Sequence, residues 1–148
     1  MVDVLQSLRA SLATAPPAKR FELLDAVAAT CLLMARADGQ VQAEELARIR
    51  ATLSQLDDAR EVSRIEARLN SVWKELAAQG VDAMLAEIVK QLPDTMARSL
   101  ALQCAAGVAF ADGHYDFEEE VLIGRIGAAF GLGEEETRRL VVMSADGS

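Results

Sequence analysis

The chain has 148 residues and a formal net charge of -8; 51% of its residues are hydrophobic and only 4% are aromatic. This length is sufficient for one domain with a buried core, and the scarcity of aromatic residues predicts that the core is aliphatic. The 3 prolines and 9 glycines are too few for a disordered chain, and 2 cysteines are too few for a disulfide scaffold. We therefore expect one domain spanning residues 1–148.

The negative charge is concentrated in the second half of the chain. Acidic and basic residues balance within residues 1–74, so residues 75–148 contain the whole excess of acidic residues. Nucleic-acid binding needs a basic surface, and anionic membrane surfaces repel an acidic one. The composition therefore argues against nucleic acid as a partner and favours cations or a basic protein surface.

Apolar residues recur with helical spacing along almost the whole chain. Between Val62 and Leu76 they follow steps of three and four residues, which keep one stripe facing a core. No sustained alternation typical of strands occurs. The sequence predicts an all-α bundle of about seven or eight helices. In chain order these are residues 2–13, 18–37, 43–56, 59–79, 83–92, 95–111, 117–130 and 134–143, followed by a tail at 144–148.

Several residues are expected to mark the helix ends. Gly80 is expected to end the fourth helix, because glycine tolerates the positive φ of a helix C-terminus. Asp82 and Asp94 are expected at the starts of the fifth and sixth helices. Gly131 and Gly133 are expected to separate the last two.

Two helices, 18–37 and 95–111, are rich in alanine, and the second also contains Gly107. Small side chains let helix axes approach closely, so we expect these helices to form the central pair of the bundle. Each contains one cysteine, Cys31 or Cys104, among apolar neighbours. Neither belongs to a zinc-binding pattern, which predicts two buried free thiols in a reducing compartment.

The sequence shows no signal for secretion or membrane spanning. The first residues lack the apolar segment of a secretory signal. The most apolar helix, 97–111, is interrupted by polar side chains and is too short to cross a bilayer. We therefore expect a cytoplasmic protein without direct membrane insertion.

The chain contains an internal duplication. Residues 37–45 (ADGQVQAEE) align without gaps with residues 111–119 (ADGHYDFEE), and looser similarity extends the copies to about 21–56 and 95–130. Each copy consists of a helix, an Ala-Asp-Gly turn, one apolar residue and a second helix that opens with acidic residues. The duplication predicts two repeated helical hairpins of one design.

The acidic residues of these turns have two interpretations. Helix capping and the positive end of the helix dipole explain the glutamates that open each second helix, and Asp116 and Glu119 have the spacing of a capping box. Alternatively, the carboxylates share a hard cation such as Ca²⁺ or Mg²⁺, which prefers oxygen ligands, although the spacing is not that of an EF-hand. The candidate metal ligands are Asp38, Glu45, Asp112, Asp116 and Glu119.

At these residues the sequence resembles the tellurite-resistance TerB family and the related N-terminal domain of some membrane-anchored DnaJ-like co-chaperones. The similar segments are 34–45 (MARADGQVQAEE) and 109–119 (AFADGHYDFEE), within a likeness that covers roughly 21–142. The resemblance implies a cytoplasmic all-helical domain, a role in tellurite or general stress resistance, often membrane-associated partners and no enzymatic activity. The metal or partner site proposed for that family falls here on Asp38, Glu45, Asp112 and Glu119.

Catalytic patterns are scarce. His114 is the single histidine, and Cys104 has no histidine nearby in sequence to activate it. Neither a Gly-x-Ser-x-Gly elbow nor a phosphate-binding P-loop is present. We expect a non-enzymatic accessory protein that presents its acidic turns to a divalent cation or a basic partner. The alternative is a protein-interaction or co-chaperone-type module in which the acidic residues are purely structural caps.

Overall fold

The computed structural model describes residues 17–36, 43–56, 62–92, 94–110 and 115–146, together with residues 6 and 10. Within these ranges the chain forms seven α-helices and no strand, which confirms the predicted all-α fold. The helices are α1 (Pro17–Ala35), α2 (Ala43–Leu56), α3 (Val62–Gln79), α4 (Val81–Gln91), α5 (Thr95–Ala109), α6 (Phe117–Ala129) and α7 (Glu134–Asp146).

Two predicted features fall largely outside the described residues. The helix expected at 2–13 lies outside them except for residues 6 and 10. The turns of the two predicted hairpins, at 37–42 and 111–114, also lie outside them. The flanking helices do pack in pairs, α1 against α2 and α5 against α6. The repeated hairpin design remains a prediction.

The start of α5 follows its predicted cap. The Asp94 carboxylate accepts a hydrogen bond from the Ala97 N–H at 2.8 Å, so it satisfies one of the backbone donors that a helix start leaves without a partner in the helix. The prediction that Asp94 begins this helix is confirmed. The helix ends at Ala109, two residues before the predicted end, and Phe110 is its C-cap residue.

The predicted start of α4 is wrong. The helix begins at Val81, and its N-cap residue is Gly80, which has φ 86° and makes no side-chain cap. Gly80 also ends α3 as predicted, since its N–H donates to the Leu76 carbonyl at 2.9 Å. One glycine therefore serves as the corner between two helices, because positive φ costs it little. Asp82 lies inside the first turn of α4 and pairs with Arg125 of α6 instead of capping.

The predicted tail at 144–148 is also wrong in part, because α7 continues to Asp146. Ser144 is buried, and its hydroxyl donates to the carbonyl oxygens of Leu140 at 3.0 Å and Gln103 at 3.1 Å. The second contact ties the end of α7 to α5. This tertiary contact extends the helix past the point where its apolar pattern stops.

The predicted central pair is confirmed. α1 and α5 make the most extensive contact between any two described helices. Their small side chains lie at this contact and are fully or almost fully buried, as at Ala28, Ala105 and Ala106. α3 and α4 cover α1, whereas α7 packs mainly on α5. α2 packs on both central helices, α1 and α5. α6 contacts α1, α4, α5 and α7, so the helix that opens with the second acidic turn is held on several sides.

The guanidinium of Arg98 joins three helices. It donates hydrogen bonds to the carbonyl oxygens of Val89 (3.3 Å) and Leu92 (3.2 Å) at the end of α4. It also donates to the Phe130 carbonyl (3.4 Å) at the end of α6. A cation at a helix C-terminus is favourable both for the unsatisfied carbonyls and for the helix dipole. Arg98 therefore fixes the ends of α4 and α6 to the start of α5.

No helix among the described residues is both long enough and apolar enough to cross a bilayer.

Candidate functional site

The second acidic turn ends in a complete capping box at the start of α6. The Glu119 N–H donates to the Asp116 Oδ1 at 2.9 Å, and the Asp116 N–H donates to the Glu119 Oε1 at 3.1 Å. The predicted spacing is confirmed, with Asp in place of the usual Ser or Thr. Both carboxylates therefore stabilise the helix start directly.

Asp116 and Glu119 differ in their access to solvent. Asp116 is exposed, whereas Glu119 is only 5% exposed. Burying a carboxylate is costly unless polar or charged groups compensate it. The N-terminal end of α6 supplies part of that compensation through its backbone N–H groups and its dipole.

Tyr115, which comes just before the N-cap residue of α6, is partly buried against the core. Its ring stacks on Phe110, with ring centroids 4.7 Å apart and an angle of 28° between the planes. Burial raises the pKa of Tyr115 to about 12, and the negative charges of Glu120 and Glu119 contribute in the same direction. The stack anchors the N-terminal end of α6 to the C-terminal end of α5.

In the first copy, Glu45 occupies the position that corresponds to Glu119. It lies in the first turn of α2 and is 3% exposed. Among the described residues, Glu45 and Glu119 are the buried acidic side chains. The duplicated motif therefore places one buried glutamate at the same point of each copy.

The structure brings together two of the five predicted metal ligands, Asp116 and Glu119. Glu45 lies in a different helix, and Asp38 and Asp112 lie outside the described residues, as does His114. Within the part of the chain that is described, no three Asp, Glu, His or Cys side chains converge in an arrangement that could hold a metal ion. The metal site over all five residues remains a prediction.

Further glutamates surround these helix starts. Glu118 and Glu120 flank Glu119 in the first turn of α6, and three consecutive glutamates open α7. Acidic residues at these positions oppose the positive ends of the helix dipoles. They also account for much of the negative charge of the second half of the chain.

Cys31 and Cys104 are buried free thiols, as predicted. Burial raises the pKa of Cys104 to about 12. Burial also raises the pKa of Cys31 well above its ordinary value, and the neighbouring Cys104 adds to the shift. The thiolate is the nucleophilic form, so these cysteines belong to the packed core and not to a reactive site.

Sequence reasoning missed a contact at the end of α1. The Arg36 guanidinium carbon lies 4.9 Å from the centre of the Trp73 ring, which belongs to α3 and is 40% exposed. This is the geometry of a cation–π interaction. The two residues are far apart in the chain, so the helical periodicity of neither segment could have predicted the contact.

Comparison with known protein families gives a match over most of the chain. The family model described as "Tellurite resistance protein TerB" matches residues 24–141. Searches of the curated proteins and of the solved structures return no significant match.

Proposed function

The chain belongs to the TerB family, and on that premise we propose that it is a non-enzymatic accessory protein in tellurite or general stress resistance. Two features of the chain support a role without catalysis. The two thiols are buried with raised pKa values, and the sequence contains no recognisable nucleophile or phosphate-binding motif.

In this proposal the protein acts through its acidic turns. A divalent cation or a basic partner is bound by the acidic residues of the two copies. These are Asp38 and Glu45 in the first copy and Asp112, Asp116 and Glu119 in the second. The observation that carries the proposal is the equivalence of Glu45 and Glu119, which are both buried at the first turn of the second helix in their copies. Carboxylates held at matched positions beside two Asp-Gly turns suit a hard cation such as Ca²⁺ or Mg²⁺.

Calorimetric titration with Ca²⁺ and with Mg²⁺ tests whether the protein binds a divalent cation. We expect a saturable heat for one of the ions and a rise in melting temperature. At an ion concentration ten times Kd, binding would add about 1.4 kcal/mol to the free energy of unfolding. Asp112→Asn and Glu119→Gln should each weaken binding, because they remove a charge and keep the shape of the side chain.

Glu135→Gln is the matched control, since it removes one exposed charge from another helix start. It should leave ion binding unchanged. No heat above that of buffer at millimolar ion, together with an unchanged melting temperature, would remove the cation from the proposal. Equal effects of all three substitutions would indicate general charge attraction and would remove the specific site.

A second candidate function is a protein-interaction or co-chaperone-type module in which the acidic residues are only caps. The complete capping box of Asp116 and Glu119 favours this alternative. It predicts that the Asp112→Asn, Glu119→Gln double variant changes stability and leaves the set of captured partners the same. A pull-down that compares the double variant with the unchanged chain distinguishes the two functions, because loss of a partner supports the acidic-turn proposal.

We further propose that the protein works in the cytoplasm with a protein partner, often membrane-associated in this family. Buried cysteines that remain free fit a reducing compartment. The negative second half of the chain suits a basic protein surface better than nucleic acid.

A further inference from the structure

A cavity of about 600 Å³ opens between α1, α3, α4 and α6. Its walls include three leucines, Leu33, Leu76 and Leu122, which are 1%, 3% and 7% exposed. Gly80, at the corner between α3 and α4, lines the cavity without adding a side chain. The volume falls in the range of roughly 300–1,000 Å³ that is typical of small-molecule sites.

Among the described residues, the guanidinium groups of Arg36 and Arg125 also line this cavity, together with the carboxylate of Glu118. The Arg36 guanidinium lies over the Trp73 ring in a cation–π contact. A cation–π contact leaves the N–H donors of a guanidinium without hydrogen bonds from the ring. Arg125 also pairs with Asp82, so Arg36 is the guanidinium of this lining that is best placed to meet an anionic group.

The mouth of the cavity is apolar and exposed to solvent. Phe117 is 73% exposed and Val121 is 46% exposed, and both lie one turn apart on α6. Neighbouring exposed apolar residues beside a cavity indicate a binding site more often than a passive surface. Their position extends the apolar lining from the buried leucines to the entrance.

We propose that this cavity binds a single-chain amphiphile with an anionic head, such as a fatty carboxylate. The alkyl chain packs mainly against the exposed side chains of Phe117 and Val121, with its end directed toward the leucines, and the carboxylate accepts hydrogen bonds from Arg36. A flexible chain can follow a half-open cavity walled by four helices from its exposed mouth inward. The lining includes Phe117 and Glu118 at the start of α6 but neither of the proposed metal ligands beside them, Asp116 and Glu119.

Titration with decanoate, below the concentration at which it forms micelles, tests the proposal. Trp73 is the single tryptophan and contacts Arg36, so its fluorescence should change with saturation, and calorimetry should give the affinity. Decyltrimethylammonium has the same alkyl chain with a positive head. We expect decanoate to bind at least about fivefold more tightly than this cation, although the net charge of the protein favours the opposite order.

Substitutions in the cavity should change this preference in opposite directions. Arg36→Gln should weaken decanoate binding about fivefold, and Glu118→Gln should strengthen it, because each changes the charge beside the carboxylate head. Arg139→Gln on α7 is the matched control and should have no effect, since Arg139 does not line the cavity. Affinities of the Arg36 variant come from calorimetry, because this substitution also changes the surroundings of Trp73.

Two substitutions that introduce opposite charges at the mouth of the cavity test the preference for an anionic head without changing Arg36. Val121 is exposed, so Val121→Lys and Val121→Glu should both fold, and the first should bind decanoate more tightly than the second. Absence of decanoate binding overturns the proposal, as does tighter binding of decyltrimethylammonium. Equal effects of Arg36→Gln and Arg139→Gln would likewise overturn it.

Discussion

Gly127 of α6 lies against the side chain of Thr137 of α7 so closely that no side chain fits between them. A β-carbon at Gly127 would lie 2.2 Å from the Thr137 Oγ1 and 3.1 Å from its Cβ. Rotation of the threonine side chain does not move its Cβ, so it could not relieve the whole overlap. The hydrogen bonds that end α6 fix the same region, because the Leu132 N–H donates to the Gly127 carbonyl at 2.9 Å.

Gly127→Ala should therefore destabilise the fold. Overpacking of this kind costs about 1–3 kcal/mol, which outweighs the gain of about 1 kcal/mol that alanine normally brings to a helix interior. Urea unfolding measures the difference. Gly124→Ala, one turn earlier in α6, is the matched control: a β-carbon there meets nothing within 4 Å, so this variant should be unchanged or more stable. Equal stability of the two variants would contradict the close approach.

Arg98→Met should reduce stability by about 1–3 kcal/mol, because it removes hydrogen bonds from a charged donor to three helix-end carbonyls. Methionine keeps most of the aliphatic stem and removes the guanidinium. Lys90→Met removes an exposed cation whose pair with Glu87 is long, at 3.7 Å, and it should cost much less. If Arg98→Met lowers the free energy of unfolding no more than Lys90→Met does, the hydrogen bonds of Arg98 do not join α4 to α6.

Asp116→Ala should cost about 1 kcal/mol, since it removes the side-chain cap of α6. Asp116→Asn should retain most of that stability, because the amide oxygen also accepts a hydrogen bond from the Glu119 N–H. Thermal unfolding of both variants makes the comparison. If the two substitutions cost the same, the contribution of Asp116 comes from its negative charge at the helix dipole and not from its hydrogen bond.

Stability should fall at alkaline pH because of the buried thiols. In the unfolded chain a cysteine ionises near its ordinary pKa of 9.0, whereas the folded state raises the pKa of Cys104 to about 12. The folded chain therefore keeps a proton that the unfolded chain loses, so the stability present below pH 9 decreases as the pH rises toward 12. Each such thiol contributes a slope of about 1.4 kcal/mol per pH unit within that window.

Cys104→Ala tests the alkaline effect through its slope and not through its absolute stability, because the substitution also removes buried volume. Urea unfolding between pH 8 and pH 10 should give a shallower decrease for the variant than for the unchanged chain. Parallel decreases would show that groups other than this thiol cause the alkaline loss.

Features that depend on neighbours in the chain were predictable. The capping box of Asp116 and Glu119 joins residues three apart, so the residue types and their spacing were sufficient to predict it. The helical periods and the alanine-rich pair were predictable for the same reason. Asp82 was assigned wrongly because an aspartate near a helix start favours a cap locally, whereas its ion-pair partner, Arg125, lies in another helix.

The sequence alone determined that this chain is an all-α member of its family, where most of its helices lie and which two helices form the centre. These features follow from periodicity, capping and side-chain size, which act within a few residues. Only the tertiary structure decided the burial of Glu45 and Glu119 and the cavity between Arg36 and Arg125. Burial and enclosure depend on which distant segments pack together, and a one-dimensional pattern of residue types does not contain those distances.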